Sequence, residues 1–289
     1  MKPSFSIVGC GRVGTALGRH LSNAGYRLYG LSCKTEASAR KAAGILGTDN
    51  HTQDSLKITS GADIVFITTP DGVISQVCDD IAGKGGFNAK TIVLHCSGAH
   101  PSTILSSAKK CGASIGSMHP LQSFAAEGSK NTFKGIIVSV EGDAAAIAAA
   151  KAMVNDLESV GLTIKTEAKT LYHAAAVVAS NYLVAVQDLA IKFIEIAGIE
   201  SKDAFKVLSP LIQGTLSNIE AVGTTRALTG PIARGDLETV SRHIDGIKEK
   251  IPGLLYLYNS LGRHTVDIAL RGGTISEEKA QGLKKLLTS

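Results

Sequence analysis

The sequence predicts an α/β chain in which a doubly wound, mostly parallel sheet is followed by an all-helical domain. Three observations predict it. Short apolar runs alternate with amphipathic stretches through the first half, the first of these runs ends in a glycine-rich turn, and from residue 167 strand signals stop while helical periodicity continues. The chain has 289 residues, 44% of them hydrophobic and 19% charged, with a mean hydropathy of +0.15. That is enough apolar surface for two medium-sized cores and excludes a disordered polypeptide.

The runs at 5–9, 27–31, 63–69, 91–96, 113–117, 135–140 and 162–166 are continuously apolar rather than alternating, as strands covered on both faces are. The amphipathic stretches 13–24, 38–46, 72–81, 102–110 and 143–159 lie between them as crossover helices. Five helical segments follow at 168–197, 202–221, 236–249, 252–270 and 276–287, separated by Gly, Pro and Ser/Thr punctuation. The expected domains are 1–166 and 167–289.

Composition narrows the function classes. The net charge of 30 − 25 = +5 is spread without a basic run, and there is no Trp and only 4% aromatic residues, so no nucleic-acid partner is expected. A small anionic ligand accounts for the charge equally well. Five cysteines, Cys10, Cys33, Cys78, Cys96 and Cys111, form an odd set without a C-x-x-C pair, which predicts free thiols, no disulfide framework and no metal. Apolar runs broken short of a bilayer span, with no apolar leader before the first strand, predict a cytoplasmic protein without a membrane partner.

Gly9-Cys10-Gly11-Arg12-Val13-Gly14 follows the first strand and opens a helix, the context in which a G-x-G-x-x-G pattern binds a dinucleotide. Gly9 permits the tight turn, Gly11 lets backbone approach a pyrophosphate, and Gly14 lets the helix pack closely on the sheet. The amides at the helix start, around Cys10, Arg12 and Val13, face the anion. After the second strand the sequence reads Leu31-Ser32-Cys33-Lys34-Thr35, with no carboxylate before Glu36. A hydroxyl at Ser32 and a cation at Lys34 suit a 2′-phosphate, so NADP is expected over NAD. Thr69 and Pro70, and then Cys96 and Ser97, follow later strands at the edge where a cofactor lies. His119, rigidified by Pro120, follows the fifth run.

On the long helix beginning near Lys169, His173, Ser180 and Gln187 fall with Lys169 within about 40° of one another at about 100° per residue. Asn181 flanks this stripe, and the remaining positions are apolar nearly all round, so the helix is expected to be buried with its polar stripe lining a cleft.

These motifs resemble the 6-phosphogluconate-dehydrogenase-like superfamily, with a Rossmann domain and then a helical domain. Within it they resemble the Rossmann-like NADP oxidoreductases whose helical half is domain of unknown function 2520. The resemblance covers essentially the whole chain and rests on 9–14, Gly116-Ser117-Met118-His119-Pro120-Leu121-Gln122, Tyr172-His173-Ala174-Ala175-Ala176, Ala179-Ser180-Asn181 and residues 228–236. Prephenate dehydrogenases share the His-Pro at His119 and Pro120 and a helix serine at Ser180, but carry histidine where this chain has Asn181. Ketopantoate reductases carry Lys-x-x-x-Asn, which lands on Lys169 and His173, so the asparagine is replaced. The resemblance implies hydride transfer between NADP(H) and a small carboxylate-bearing substrate, a 2-oxo acid such as ketopantoate, with prephenate-like compounds and cyclic imines as alternatives. Lys169 or His173 is the expected proton donor, and Ser180, Asn181 and His119 the expected substrate contacts. Arg234 and Asp236 lie in a loop that closes on the cleft, docks a second subunit, or simply caps the next helix. A non-catalytic NADP(H)-binding or redox-sensing protein is the rival reading. Apolar residues in 202–222 and 252–270 predict a homodimer through the helical domain.

Overall fold

The computed structural model describes residues 2–124 and 133–288, which divide into two compact units, Met1–Tyr182 and Leu183–Ser289. In the first unit eight strands form one sheet: β1 (Ser4–Val8), β2 (Arg27–Ser32), β3 (His51–Thr52), β4 (Ile64–Ile67), β5 (Ile92–His95), β6 (Ser114–Pro120), β7 (Ile137–Gly142) and β8 (Val160–Thr163). Their order is β3-β2-β1-β4-β5-β6-β7-β8, and every pairing is parallel except β6 with β7. The helices of this unit are α1 (Arg12–Asn23), α2 (Glu36–Leu46), α3 (Leu56–Thr59), α4 (Ile74–Gly83), α5 (Ser106–Lys110), α6 (Ala144–Asp156) and α7 (Lys169–Val177).

The apolar continuity of the strands has the expected cause. Ile64 and Phe66 of β4 pack on one face with Leu17, Leu21 and Met153, whereas Val65 and Ile67 pack on the other with Ile74, Cys78 and Ile81. Each face is covered by helices, so both residue parities must be apolar. All seven expected strands are present. The two-residue β3 and the four-residue α3 escape sequence reading because they are too short to show a period. β6 runs on to Pro120 because its end pairs antiparallel with β7.

The register places the site. Ser32 of β2 and Ile67 of β4 both lie opposite Val8, Ile67 lies opposite His95, His95 opposite Ser117, and Ser117 opposite Glu141. One row therefore crosses the sheet, and Gly9, Cys33, Thr68, Cys96 and Met118 each come directly after a member of it. The chain reverses its order between β1 and β4, the switch point at which ligands of doubly wound sheets bind.

Sequence and structure part company in the helix after Lys169. α7 leads into a wide π-helical turn, Val178–Tyr182, before α8 (Leu183–Ile196). The expected burial is absent: Leu171 is 78% exposed and Tyr182 59%. Thr166–Ile196 is also long and apolar enough, by length and composition, to cross a membrane, which corrects the expectation that no run suffices.

The second unit continues with α9 (Ser201–Ala227), α10 (Pro231–Arg234), α11 (Leu237–Lys250), α12 (Leu255–Arg271) and α13 (Glu277–Leu286). Gly223, at φ 75°, interrupts α9 close to where the periodicity stops. The core of this unit joins Val240, Ile244, Val266, Ala269 and Leu283, from α11, α12 and α13. Apolar side chains of α9, including Phe205 and Leu211, stay exposed.

Candidate active site

The turn after β1 is built for close approach. Gly9 has φ +94°, and a Cβ there would lie 2.7 Å from the Thr69 side chain. A Cβ at Gly14 would lie 2.4 Å from Thr68 Oγ1 and 2.7 Å from the Gly9 carbonyl, the two atoms joined by a hydrogen bond from Thr68. Glycine at both positions is therefore enforced by packing. At Gly11 a Cβ would meet nothing within 4 Å, so open space lies over the backbone there. α1 begins at Arg12 with no capping side chain and no acidic residue in its first turn. Its leading amides, at Arg12, Val13 and Gly14, are left for an anion. Thr69 Oγ1 is buried without a hydrogen-bond partner, and Pro70 beside it is exposed. The residues of this turn fit a dinucleotide pyrophosphate.

At the end of β2 the two expected 2′-phosphate ligands separate. Ser32 is 1% exposed and its hydroxyl shares a hydrogen bond with Ser55, so its side chain serves the interior, a correction to its expected role. Lys34 is exposed. Thr35 caps α2 by accepting from the Ser38 amide, and Glu36, the first carboxylate, pairs with Arg40 and His51.

Lys169 is the most informative side chain. It is 1% exposed, and its ammonium donates to the Ser117 hydroxyl. Burial lowers its pKa from 10.5 to about 8, opposed chiefly by the Glu141 carboxylate, with Asp71 adding to it. Glu141, 1% exposed, accepts from the Ser102 amide and hydroxyl and from Thr166 Oγ1, which precedes α7. That carboxylate ties β7 to the chain after β5 and to the entry of α7, and sequence reading missed it. Its signal was present: a lone carboxylate in an apolar strand requires partners.

Around Lys169 stand three histidines. His95 is fully buried, its Nδ1 accepts from the Ser97 amide, and its Nε2 has no partner; burial first, then Lys169, lowers its pKa to about 3. His119 Nδ1 lies 3.2 Å from the Tyr172 hydroxyl, and burial, aided by Lys169 and His173, lowers its pKa to about 4. The His119 and His173 rings meet edge to face at 6.2 Å. Gly98 sits against both, since a Cβ there would lie 2.5 Å from His173 Nδ1 and 2.7 Å from His119 Nε2. His173 Nδ1 is buried and unpartnered. Ser97 turns its loop by accepting from the Ala99 and His100 amides. The Cys96 thiol is pushed up to about 12 by burial, so it stays protonated and is no nucleophile.

The structure thus brings Lys169, His173 and His119 together, with Ser117, Tyr172 and Glu141 added. Ser180 and Asn181 are not brought in: both are exposed on the π turn, which breaks the regular period that aligned Ser180 with Lys169 and set Asn181 beside it. Asp236 caps α11 by accepting from the Thr239 amide and hydroxyl, the simplest of its expected roles, and Arg234 is exposed. Among the described residues no cluster of metal-binding side chains occurs.

No curated protein matches the sequence. Among solved structures, the chain is similar to a candidate NADP oxidoreductase from Bacteroides fragilis, at 22% identity and TM-score 0.76 over 92% of this chain and 98% of that one. A protein from Thermotoga maritima is 24% identical, with TM-score 0.71 over the same shares. A pyrroline-5-carboxylate reductase from Coxiella burnetii is 13% identical, with TM-score 0.59 over all of both chains. These likenesses are of fold. A Rossmann-like family model matches residues 2–120, which hold the glycine turn and His119. The domain-of-unknown-function model DUF2520 matches 136–265, which hold Glu141, Lys169 and His173. The chain thus carries a Rossmann-like domain followed by a DUF2520 domain.

Proposed function

We propose that this protein is an NADP(H)-dependent oxidoreductase that moves a hydride to or from a small carboxylate-bearing substrate. The observation that carries the reading is Lys169, a buried ammonium bonded to a strand hydroxyl on the same row of the sheet that ends in the phosphate-binding turn. The fold shared with a candidate NADP oxidoreductase and a pyrroline-5-carboxylate reductase supports it.

When bound, the nicotinamide supplies or accepts the hydride. The amides of Arg12, Val13 and Gly14 hold the pyrophosphate, Thr69 Oγ1 offers an unused hydrogen bond, and Lys34 neutralises the 2′-phosphate that selects NADP over NAD. Near neutral pH His95 and His119 are uncharged while Lys169 remains largely protonated, given their pKa values of about 3, about 4 and about 8. Lys169 therefore gives its proton to the substrate oxygen or imine nitrogen during reduction and recovers it in the reverse direction. Ser117 fixes the ammonium by accepting its hydrogen bond, and Glu141 balances its charge from within the protein. His173, with a free buried Nδ1, is the second polar contact for substrate, and Tyr172 holds His119 behind it. A 2-oxo acid such as ketopantoate suits a site whose reacting group is a cation.

The exposed apolar side chains from Leu171 to Val222 support a homodimer through the helical half in preference to a bilayer. Lys169 is anchored to Ser117 within the first unit, and Asp188, Lys192 and Glu195 lie along the same helical run. Five free cysteines suit the reducing cytoplasm.

The test is NADPH oxidation with a panel of 2-oxo acids, prephenate-like compounds and cyclic imines. Lys169→Ala is expected to lower turnover by about 10²–10³-fold with NADPH affinity within about twofold. Equal turnover in wild type and variant defeats the assignment.

A further inference from the structure

We propose that Thr166, Glu141 and Ser102 form a buried latch that positions Lys169 for proton transfer, with Thr166 as the positioning residue on the helix side. The bonds of the latch stand independently of the proposed function; their effect on turnover rests on that reading.

Two anchors hold the start of α7 on the sheet. Thr166 Oγ1 donates to Glu141 Oε2 at 2.9 Å, and one turn later the Lys169 ammonium donates to the Ser117 hydroxyl. Ser117 and Glu141 are register partners on the antiparallel pair β6 and β7, so their side chains leave the same face of the sheet with Cβ atoms about 5 Å apart. Thr166 and Lys169 therefore hang from neighbouring points. Neither the turn Thr166–Ala168 nor α7 has a capping side chain, so the entry of the helix carries no local restraint of that kind. The bond from Thr166 to a carboxylate only 1% exposed supplies one from the sheet instead.

The carboxylate is itself held from the opposite side. Ser102 gives it two bonds, from its amide to Oε1 and from its hydroxyl to Oε2, both at 2.8 Å. Ser102 is buried and follows Pro101 and a braced turn in which Ser97 Oγ accepts from the Ala99 and His100 amides. Glu141 is thus a fixed point, and Thr166 transfers that fixity to the residues that follow it.

The Thr166 bond can be cut without baring the carboxylate, because the two bonds from Ser102 remain. Valine has the shape of threonine without its hydroxyl, so Thr166→Val frees the start of α7 and leaves the packing in place. Lys169 is then held by the Ser117 bond alone and spends less time aimed at the substrate oxygen, where a misplacement of about 1 Å costs as much as about 10²-fold in rate.

The test measures turnover and NADPH affinity for Thr166→Val, Thr166→Ser and Ser102→Ala in the full-length protein, each with Lys169 present and with Lys169→Ala. Thr166→Val is expected to lower turnover by about tenfold or more with NADPH affinity within about twofold, and Thr166→Ser, which keeps the hydroxyl, to restore turnover to within about threefold of wild type. Combined with Lys169→Ala, Thr166→Val lowers turnover by less than about a further twofold, because the group it aims is gone. Ser102→Ala keeps its amide bond and gives a smaller loss that also vanishes without Lys169; it decides the latch if Thr166→Val does not fold. Wild-type turnover in Thr166→Val, an equal loss in Thr166→Ser, or a loss that adds in full to that of Lys169→Ala overturns the latch. The Lys169 side-chain resonance of protein carrying isotope-labelled lysine, assigned through its disappearance in Lys169→Ala, moves in Thr166→Val and stays in place in Thr166→Ser. A wild-type protein that turns over nothing in the panel overturns the oxidoreductase reading instead, and an unmoved resonance in Thr166→Val then overturns the latch on its own.

Discussion

The sheet and the long helices after residue 166 treat apolar side chains in opposite ways. Phe5, Ile7, Ile64, Val65, Phe66 and Ile67 are at most 1% exposed, covered by helices on both faces. Of the nineteen large hydrophobic residues exposed among the described ones, twelve lie between Leu171 and Val222. Fully burying one such side chain is worth about 1.5–3 kcal/mol, so the inner strands of the sheet are complete alone, whereas the edge strand β8 leaves Val160 and Leu162 exposed and the helical stretch leaves many more apolar side chains suited to cover. Within that stretch Lys169 inverts the pattern, a charged group buried where its apolar neighbours are exposed.

The strongest way to break this comparison is to charge the uncovered face. Phe205→Asp combined with Leu211→Asp is expected to weaken the proposed homodimer by about a thousandfold or more, since carboxylates would be buried without partners. Sedimentation should show monomers, with the sheet unit's circular dichroism retained. A wild-type protein that is monomeric throughout, or that partitions into lipid vesicles, removes the second copy as the cover.

A smaller effect sharpens the role of Lys169. Its folded pKa of about 8 lies below the ordinary 10.5, so folding disfavours its charged form. The cost is full below about pH 8, roughly 3 kcal/mol, and is relieved as pH rises from about 8 to 10.5. Lys169→Met should therefore lose turnover without losing thermal stability at pH 7. Turnover in the reductive direction should fall as pH rises through about 8, because the proton donor is lost. A variant that unfolds, or a profile that is flat there, contradicts the assignment. Smaller again is Lys34→Ala, expected to weaken NADPH by about tenfold and leave NADH nearly unchanged.

Much of this was legible in the sequence because the sheet's rules are local. Continuous apolar runs marked the strands, of which all but the exposed edge strand β8 are largely covered, and the glycine spacing marked the turn. His119, Lys169 and His173, singled out from loop position and helical spacing, lie close together in the structure. The exposure of Ser180 and Asn181 was not legible because a constant period cannot anticipate the π turn at Val178–Tyr182. Apolarity all round α7 was taken for burial, yet hydrophobicity alone does not say whether the covering atoms belong to the same chain. Ser32 was assigned outward although its hydroxyl meets Ser55, a contact between β2 and the residue before α3 that no local pattern carries. Glu141 was overlooked inside an apolar strand, where its three hydrogen bonds come from residues distant in sequence.

The central claim is that the carboxyl edge of the sheet holds a dinucleotide at the turn after β1. It is tested most directly by fluorescence titration of NADPH into wild type and Gly11→Val. Gly11 has φ −74°, and a Cβ there meets nothing within 4 Å, so the variant keeps the fold while filling the space over the backbone. The account predicts saturable binding to wild type and binding weakened at least about tenfold in the variant at an unchanged melting temperature. Equal affinity in both proteins, or no binding to wild type, would contradict it.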